Sequence, residues 1–139
     1  MSDNIVRALD IGSEPDIRER TIDITTTGAR TDAPRRIEIW FWQVDGNWYL
    51  ASDTTPRAWY RNLRAHPRFT VHLKHGVHAD LPATAVDVTD TDTRRHVLRE
   101  ILVQSPNRTP DPLVLEDWVR DSPLIRIEFD HLKQARPLA

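Results

Sequence analysis

The stretch Arg35 to Ser52, RRIEIWFWQVDGNWYLAS, limits the possible folds more than any other part of this sequence. On both sides of Asp45-Gly46 the residues alternate between two faces. An Asp-Gly pair supplies the positive backbone angles of a two-residue hairpin turn. Strands joined this closely must run antiparallel. The first of them is irregular: Ile37, Ile39 and Phe41 share one face, while Trp40 and Trp42 share the other with Arg36 and Glu38. A bare polar face is a poor place for two tryptophans. That face therefore needs cover, from a ligand, from helices or from a second chain.

The flanking sequence supplies more strands and few helices. Residues 1–19 are polar, with Gly12 and Pro15, and read as a lightly tethered arm in which Ile5, Val6 and Leu9 give one short amphipathic turn. A single domain is expected over 20–139. Arg20 to Thr27 alternates and is β-branched, predicting a strand. Gly28 to Pro34 reads as a turn. Asn47 to Ser52 completes the hairpin. Thr55 is a candidate helix cap with Pro56 at the first helical position, and Pro67 stops that helix. Arg68 to Lys74 and Val77 to Val88 read as strands, the second interrupted or bulged at Pro82. Thr89 to Leu102 opens on capping residues and carries Val97, Leu98, Ile101 and Leu102 in a stripe, so it reads as an amphipathic helix. Gln104 to Pro112 reads as a loop, Asp111-Pro112 as the start of a short helix bearing Leu115, Trp118 and Val119, and Pro123 to Phe129 as the last strand. The order β-β-β-α-β-β-α-α-β predicts a mainly β, α+β protein: an antiparallel barrel or strongly curled sheet of about six strands with packed helices.

Composition narrows the function. With 139 residues, 39% hydrophobic and 29% charged, the chain suits one soluble core. A net charge of −2 offers no field for a polyanion, so nucleic-acid binding is not expected. There is no cysteine, which excludes disulfides, thiolate metal sites and cysteine catalysis and fits a cytoplasmic location. No run approaches the roughly 18 apolar residues of a membrane span. His66, His72, His75 and His78 cluster in sequence, but His72 and His75 fall on opposite faces of a strand and no HExxH helix is present, so no metal site is expected. No serine sits in a GxSxG elbow.

Two basic elements remain. TTTGARTDAPRR joins two strands through Gly28 and places Arg30, Arg35 and Arg36 beside Thr31; it reads either as an anion cradle or as an exposed basic turn. TPRAWYRNL brings a helix N-terminus, Arg57, Arg61 and Asn62, together with Trp59. Trp59 could lie against a heterocycle or pack in the core with Leu63. A ligand carrying both a phosphate and a ring would use both elements.

These stretches, with DGNWYLAS, PRAWYRNLRAHPRFTVHLK and ADLPATA, resemble the deazaflavin (F420)-dependent nitroreductase family, split β-barrels related to the pyridoxamine phosphate oxidase-like flavoproteins. The resemblance runs from about Arg20 to about Asp90 and includes the final strand. It implies an oxidoreductase that passes hydride from coenzyme F420, or from FMN as the alternative, to a small electron-poor acceptor such as a quinone or nitro compound. It implies phosphate contacts at Arg30, Thr31 and Arg35, and ring contacts at Ile37, Glu38 and Trp40. Ala51, Ser52, Arg57, Ala58, Trp59 and Asn62 complete the implied cofactor site, and Trp40, Leu115 and Trp118 form the acceptor side. No dedicated catalytic residue is implied, because the cofactor carries the chemistry. The chain departs from the family pattern at Ala29 and Asp32 in the turn and at Asp53, where an acid replaces a lysine. It departs again at Thr109, Pro112 and Leu115, where nitroreductase members carry tyrosines. A haem-binding barrel and a non-catalytic cofactor or lipid carrier are the other readings. A homodimer is expected, with Trp42 at a subunit contact or its edge.

Overall fold

Asp45 and Gly46 take φ of 52° and 77°, so the central hairpin closes through the mirror-image turn that matches the right-handed twist of its strands. The computed structural model describes residues 1–105 and 111–132. Two short helices, α1 (Asp3–Leu9) and α2 (Ile17–Arg20), precede β1 (Thr21–Thr27), β2 (Pro34–Val44) and β3 (Asn47–Ala51). Then come α3 (Ala58–Ala65), β4 (Arg68–Leu73), β5 (Ala79–Asp87), α4 (Thr91–Gln104), α5 (Pro112–Asp121) and β6 (Leu124–Phe129). The strands close an antiparallel barrel in the order β1-β2-β3-β6-β5-β4. The six-stranded α+β barrel expected from the pattern is the observed fold.

The described residues form two cores. Ile22, Ile24, Phe41, Leu50, Val71 and Ile127 fill the barrel, with Ile37 and Ile39 packed against them. The second core lies outside the barrel wall, where α4 and α5 bring Val97, Leu98, Ile101, Leu102 and Trp118 onto Trp42, Val44 and Tyr49. Trp42 is only 6% exposed there, so this chain's own helices, rather than a second chain, cover most of it. Burying a tryptophan under two amphipathic helices removes far more apolar surface from water than leaving it at a rim.

Several boundaries differ from the sequence reading. The first nineteen residues are anchored, not lightly tethered. Leu9 is fully buried, and its carbonyl accepts a 2.6 Å bond from Trp48 Nε1. Arg20 ends a capped helical turn, and β1 starts one residue later. The third helix begins at Ala58, not at Pro56, because Asp53 takes the backbone N–H of Thr55 at 3.0 Å and holds Thr55-Pro56 in the preceding turn. Pro82 causes no interruption: β5 pairs with β4 continuously from Ala79 to Thr84. His72 is nearly buried, between Thr25 Oγ1 at 2.7 Å and Asp80 Oδ1 at 2.6 Å. Among the described residues no His, Asp or Glu cluster could hold a metal, and no helix is long and apolar enough to cross a membrane.

Candidate functional site

The register of β2 creates an opening. β1 pairs with Pro34 through Trp40, but β3 takes up the other edge only from Phe41↔Leu50 onward. Among the described residues, the second edge of residues 34–40 therefore has no strand partner. Val44 and Asn47 flank the two-residue turn and form its hydrogen-bonded pair, so Val44 and Trp42 aim their backbone groups at β3. The Gln43 carbonyl faces the other way and accepts from Gln104 Nε2 at 3.0 Å. By the same alternation, Trp40, Glu38 and Arg36 present their backbone N–H and C=O groups to the open edge.

Two adjacent cavities occupy this opening. The larger, about 570 Å³, is bounded by Glu38 and Trp40 on β2, Ser52 and Asp53 beyond β3, Arg57 and Trp118. Ile101, Leu102 and Ser105 at the end of α4 also line it. The smaller, about 390 Å³, is bounded by Arg30, Thr31, Arg35, Ala58, Arg61 and Asn62. Ile37 and Trp59 line both, so they stand where the two cavities meet. Trp59 thus serves both readings: it packs in the barrel core with Leu63, and its remaining 7% of surface faces the cleft.

The smaller cavity has the chemistry of an anion cradle. Gly28 N–H bonds the Ala33 carbonyl at 2.8 Å and closes the turn. A Cβ on Gly28 would sit 2.5 Å from Thr31 Oγ1, so any larger residue forces the Thr31 side chain to shift. Asp32, at a position where the family pattern has glycine, takes φ of 56°, a conformation acid and amide side chains tolerate better than most. Asn62 holds the turn to α3. Its Oδ1 accepts the Ala29 N–H at 3.0 Å and its Nδ2 donates to Thr26 Oγ1 at 3.1 Å. Its amide is thereby committed to positioning the turn. No side chain caps α3, so its first N–H groups stay open beside Ala58. Arg30, Arg35 and Arg61 have no acidic partner among the described residues. The cradle thus combines three uncompensated cations with an open helix N-terminus.

The larger cavity is balanced in charge. Asp53, expected to repel an anion, accepts from Thr55 N–H and from Arg57 Nη2 at 3.1 Å. These bonds, the Thr55 backbone first, hold its carboxyl below the ordinary value despite burial. Arg36 is turned elsewhere, its Nε tied to Asp23 at 3.0 Å. Glu38 pairs with Lys74, which also bonds Asp23 at 2.7 Å. Trp40 lies edge-on to Trp42, their centroids 6.1 Å apart, and keeps part of its surface in the cleft.

Of the acceptor-side residues, Trp40 and Trp118 reach the cavity, but Leu115 does not line it. Leu115 is 7% exposed and packs between the helices. Thr109 lies outside the described residues. The α4 wall was not anticipated. Its apolar stripe was legible, but nothing in the spacing said that the stripe's last turn would overhang β2.

A family profile described as F420H(2)-dependent quinone reductase matches residues 7–109. The structure is similar to a conserved hypothetical protein from Mycobacterium tuberculosis, at 20% identity and TM-score 0.65, over 93% of this chain and 81% of that one. It is similar to an F420-H2 dependent reductase, at 20% identity and TM-score 0.55, over 78% and 94%. It is also similar to a protein described as a domain-swapped dimer, at 20% identity and TM-score 0.56, over 78% and 80%. At these identities the structures show a shared fold. The search of functionally curated proteins gave no match.

Proposed function

The chain belongs to the F420H(2)-dependent quinone reductase family, and from that premise we propose that the cleft along the open edge of β2 holds the deazaflavin cofactor with its phosphate in the Gly28–Arg35 turn. One observation carries this assignment. A cradle with three unpaired arginines adjoins, at Ile37 and Trp59, a slot with a free backbone edge and tryptophans. A flat heterocycle with an anionic tail matches both halves in order.

Bound F420H2 supplies hydride, and a quinone-type acceptor that takes hydride and a proton becomes the quinol. The residues of this chain bind, orient and exclude water. Arg30, Arg35 and Arg61 neutralise the phosphate, aided by the Thr31 hydroxyl and the first N–H groups of α3. The backbone of Glu38 and Trp40 offers donors and acceptors to the polar edge of the ring, and Ala51 and Ser52 close the opposite side. The Asp53–Arg57 pair sits beside them without adding net charge. Trp40 and Trp118 give the acceptor an apolar wall, and Ile101 and Leu102 keep water from it. No side chain in the cleft is assigned as the acid; solvent supplies the proton.

A fluorescence titration with F420 tests the site. Binding is expected in the micromolar range, weakening with salt. Arg35→Ala should weaken it about tenfold, the worth of one charge-assisted hydrogen bond of roughly 1.5 kcal/mol. Saturable binding that ignores both salt and Arg35→Ala would place the phosphate elsewhere. A homodimer and a cytoplasmic location belong to the same proposal. The dimer draws support from the similar structure described as a domain-swapped dimer, and sedimentation showing only monomer at tens of micromolar, a range typical of weak association, would reject it.

A further inference from the structure

Arg20 is the odd residue of the second core. Its side chain is 2% exposed, yet it has neither an acidic partner nor a carbonyl acceptor among the described residues. Its guanidinium lies over Trp42, 4.2 Å from the ring centroid, and 6.0 Å from Trp40. Nη1 is buried without a hydrogen-bond partner. Burial pulls its pKa down, but guanidinium stays charged at any ordinary pH. A buried cation held only by aromatic faces is expensive unless an acceptor reaches it.

Arg20 lines a pocket of about 380 Å³, separate from the cofactor cleft and framed by Ser13–Ile17 and the last turns of α4. Gln104 lines it too. Its Nε2 is fixed by the Gln43 carbonyl, which fixes Oε1 in turn, and Oε1 is also buried without a partner. The pocket is thus bordered by one cationic and one amide side chain, each with a buried polar atom left unused just behind the wall. At the rim stand Glu14 and Glu100, neither in an ion pair among the described residues. The walls include Pro15 with Ile17 and Val103, each of the last two 57% exposed despite being large and apolar.

We infer that this pocket binds a small apolar α-amino acid, its carboxylate on Arg20 and its ammonium on Gln104 Oε1 beneath Glu14 and Glu100. Each feature selects part of that ligand. Arg20 needs an anionic acceptor, which a carboxylate provides in bidentate form. Gln104 Oε1 needs a donor next to it. Two unpaired carboxylates at the mouth repel a simple anion and attract an ammonium. Ile17 and Val103 gain cover from a short aliphatic side chain. Water could satisfy the two buried atoms, but it would leave the rim charges and the apolar walls unused.

Trp42 makes binding visible, because it contacts Arg20 on one side and lines the cofactor cleft on the other. The full chain without cofactor is titrated with L-valine, isobutyrate and isobutylamine, and the indole N–H resonance of Trp42 is followed. L-valine should shift it saturably with a dissociation constant of about 1 mM or below. Each single-charge analogue should bind at least about tenfold more weakly, the worth of one charged partner. Arg20→Met should abolish the response. The rim variant Glu14→Gln/Glu100→Gln, which touches only surface side chains, should weaken valine several-fold and leave isobutyrate equal or stronger. No saturable response to valine, equal responses to valine and isobutyrate, a response that survives Arg20→Met in a folded variant, or valine binding unchanged in the rim variant would each overturn the assignment.

Discussion

Replacing Gly28 with alanine should damage the cradle in a way that a second substitution partly repairs. The added Cβ would lie 2.5 Å from Thr31 Oγ1 and 3.3 Å from the Ala33 carbonyl oxygen. The φ of Gly28 lies outside the positive region, so crowding alone is at issue. Thr31 must rotate away and give up the Ala33 N–H it accepts at 3.2 Å, a loss of roughly 0.5–1 kcal/mol at an exposed site. The backbone contact adds about 1 kcal/mol of overpacking strain. Gly28→Ala should therefore cost about 2 kcal/mol, or roughly 8 °C in melting temperature for a domain of this size. Thr31→Ala alone should cost about 0.5–1 kcal/mol. In the double variant the hydroxyl is already gone, so the two costs should overlap by about 1 kcal/mol. Urea unfolding of the four proteins measures that coupling, and F420 titration should show weaker binding in the Gly28→Ala single variant, because Arg30 and Thr31 move with the turn. Strict additivity, within about 0.3 kcal/mol, would refute the claim that Thr31 is what the glycine makes room for.

Three further outcomes are expected. Asp32→Gly relieves a positive φ but gives up the exposed pair with His66 at 3.1 Å, so stability should change by less than about 0.5 kcal/mol, while loss of an acid beside the cradle should tighten F420 about twofold at low salt, seen by titration at two ionic strengths. Arg94→Met should destabilise by about 3 kcal/mol or more in denaturant unfolding, because the buried guanidinium donates to the carbonyls of Val88, Trp118, Val119 and Ser122 and ties α5 to the end of β5. Burial first, and then the 2.7 Å bond to Asp87, push the Tyr60 hydroxyl up to about 12. Between about pH 10 and 12 the unfolded chain then loses a proton that the folded chain keeps, so stability should fall as pH rises through that window, and Tyr60→Phe should flatten the fall in melting curves taken across it.

How much of this was legible in the sequence varies with the range of the interaction. The hairpin around Asp45-Gly46, the β-rich order and the stripe of α4 rest on alternation, turn chemistry and helical period, all of which act between near neighbours. The cradle was also readable, since Gly28, Arg30, Thr31 and Arg35 lie close together along the chain. Asn62 was expected in the cofactor site and lines the smaller cavity; that it also holds the turn through Ala29 and Thr26 is a role only its distant partners reveal. The alternation of Trp40 and Trp42 said that both faces of β2 are covered and left the cover open. The fold divides them: Trp42 goes under α4 and α5, and Trp40 keeps an edge in the cleft.

The sequence by itself determined an antiparallel barrel, a basic glycine turn before its second strand and an aromatic, arginine-bearing helix after its third. Each of these follows from local geometry, where side-chain period and backbone angle are properties of a few consecutive residues. Tertiary structure alone decided that β3 leaves β2 at Phe41, and with it where the open edge and its cleft lie. It also decided that Leu115 turns inward, that Asp53 is neutralised by Arg57, and that Arg20 is buried against Trp42 without an ion pair among the described residues. Register and burial are settled by which surfaces meet across the whole chain, and a side chain's charge partner depends on what that meeting brings within reach.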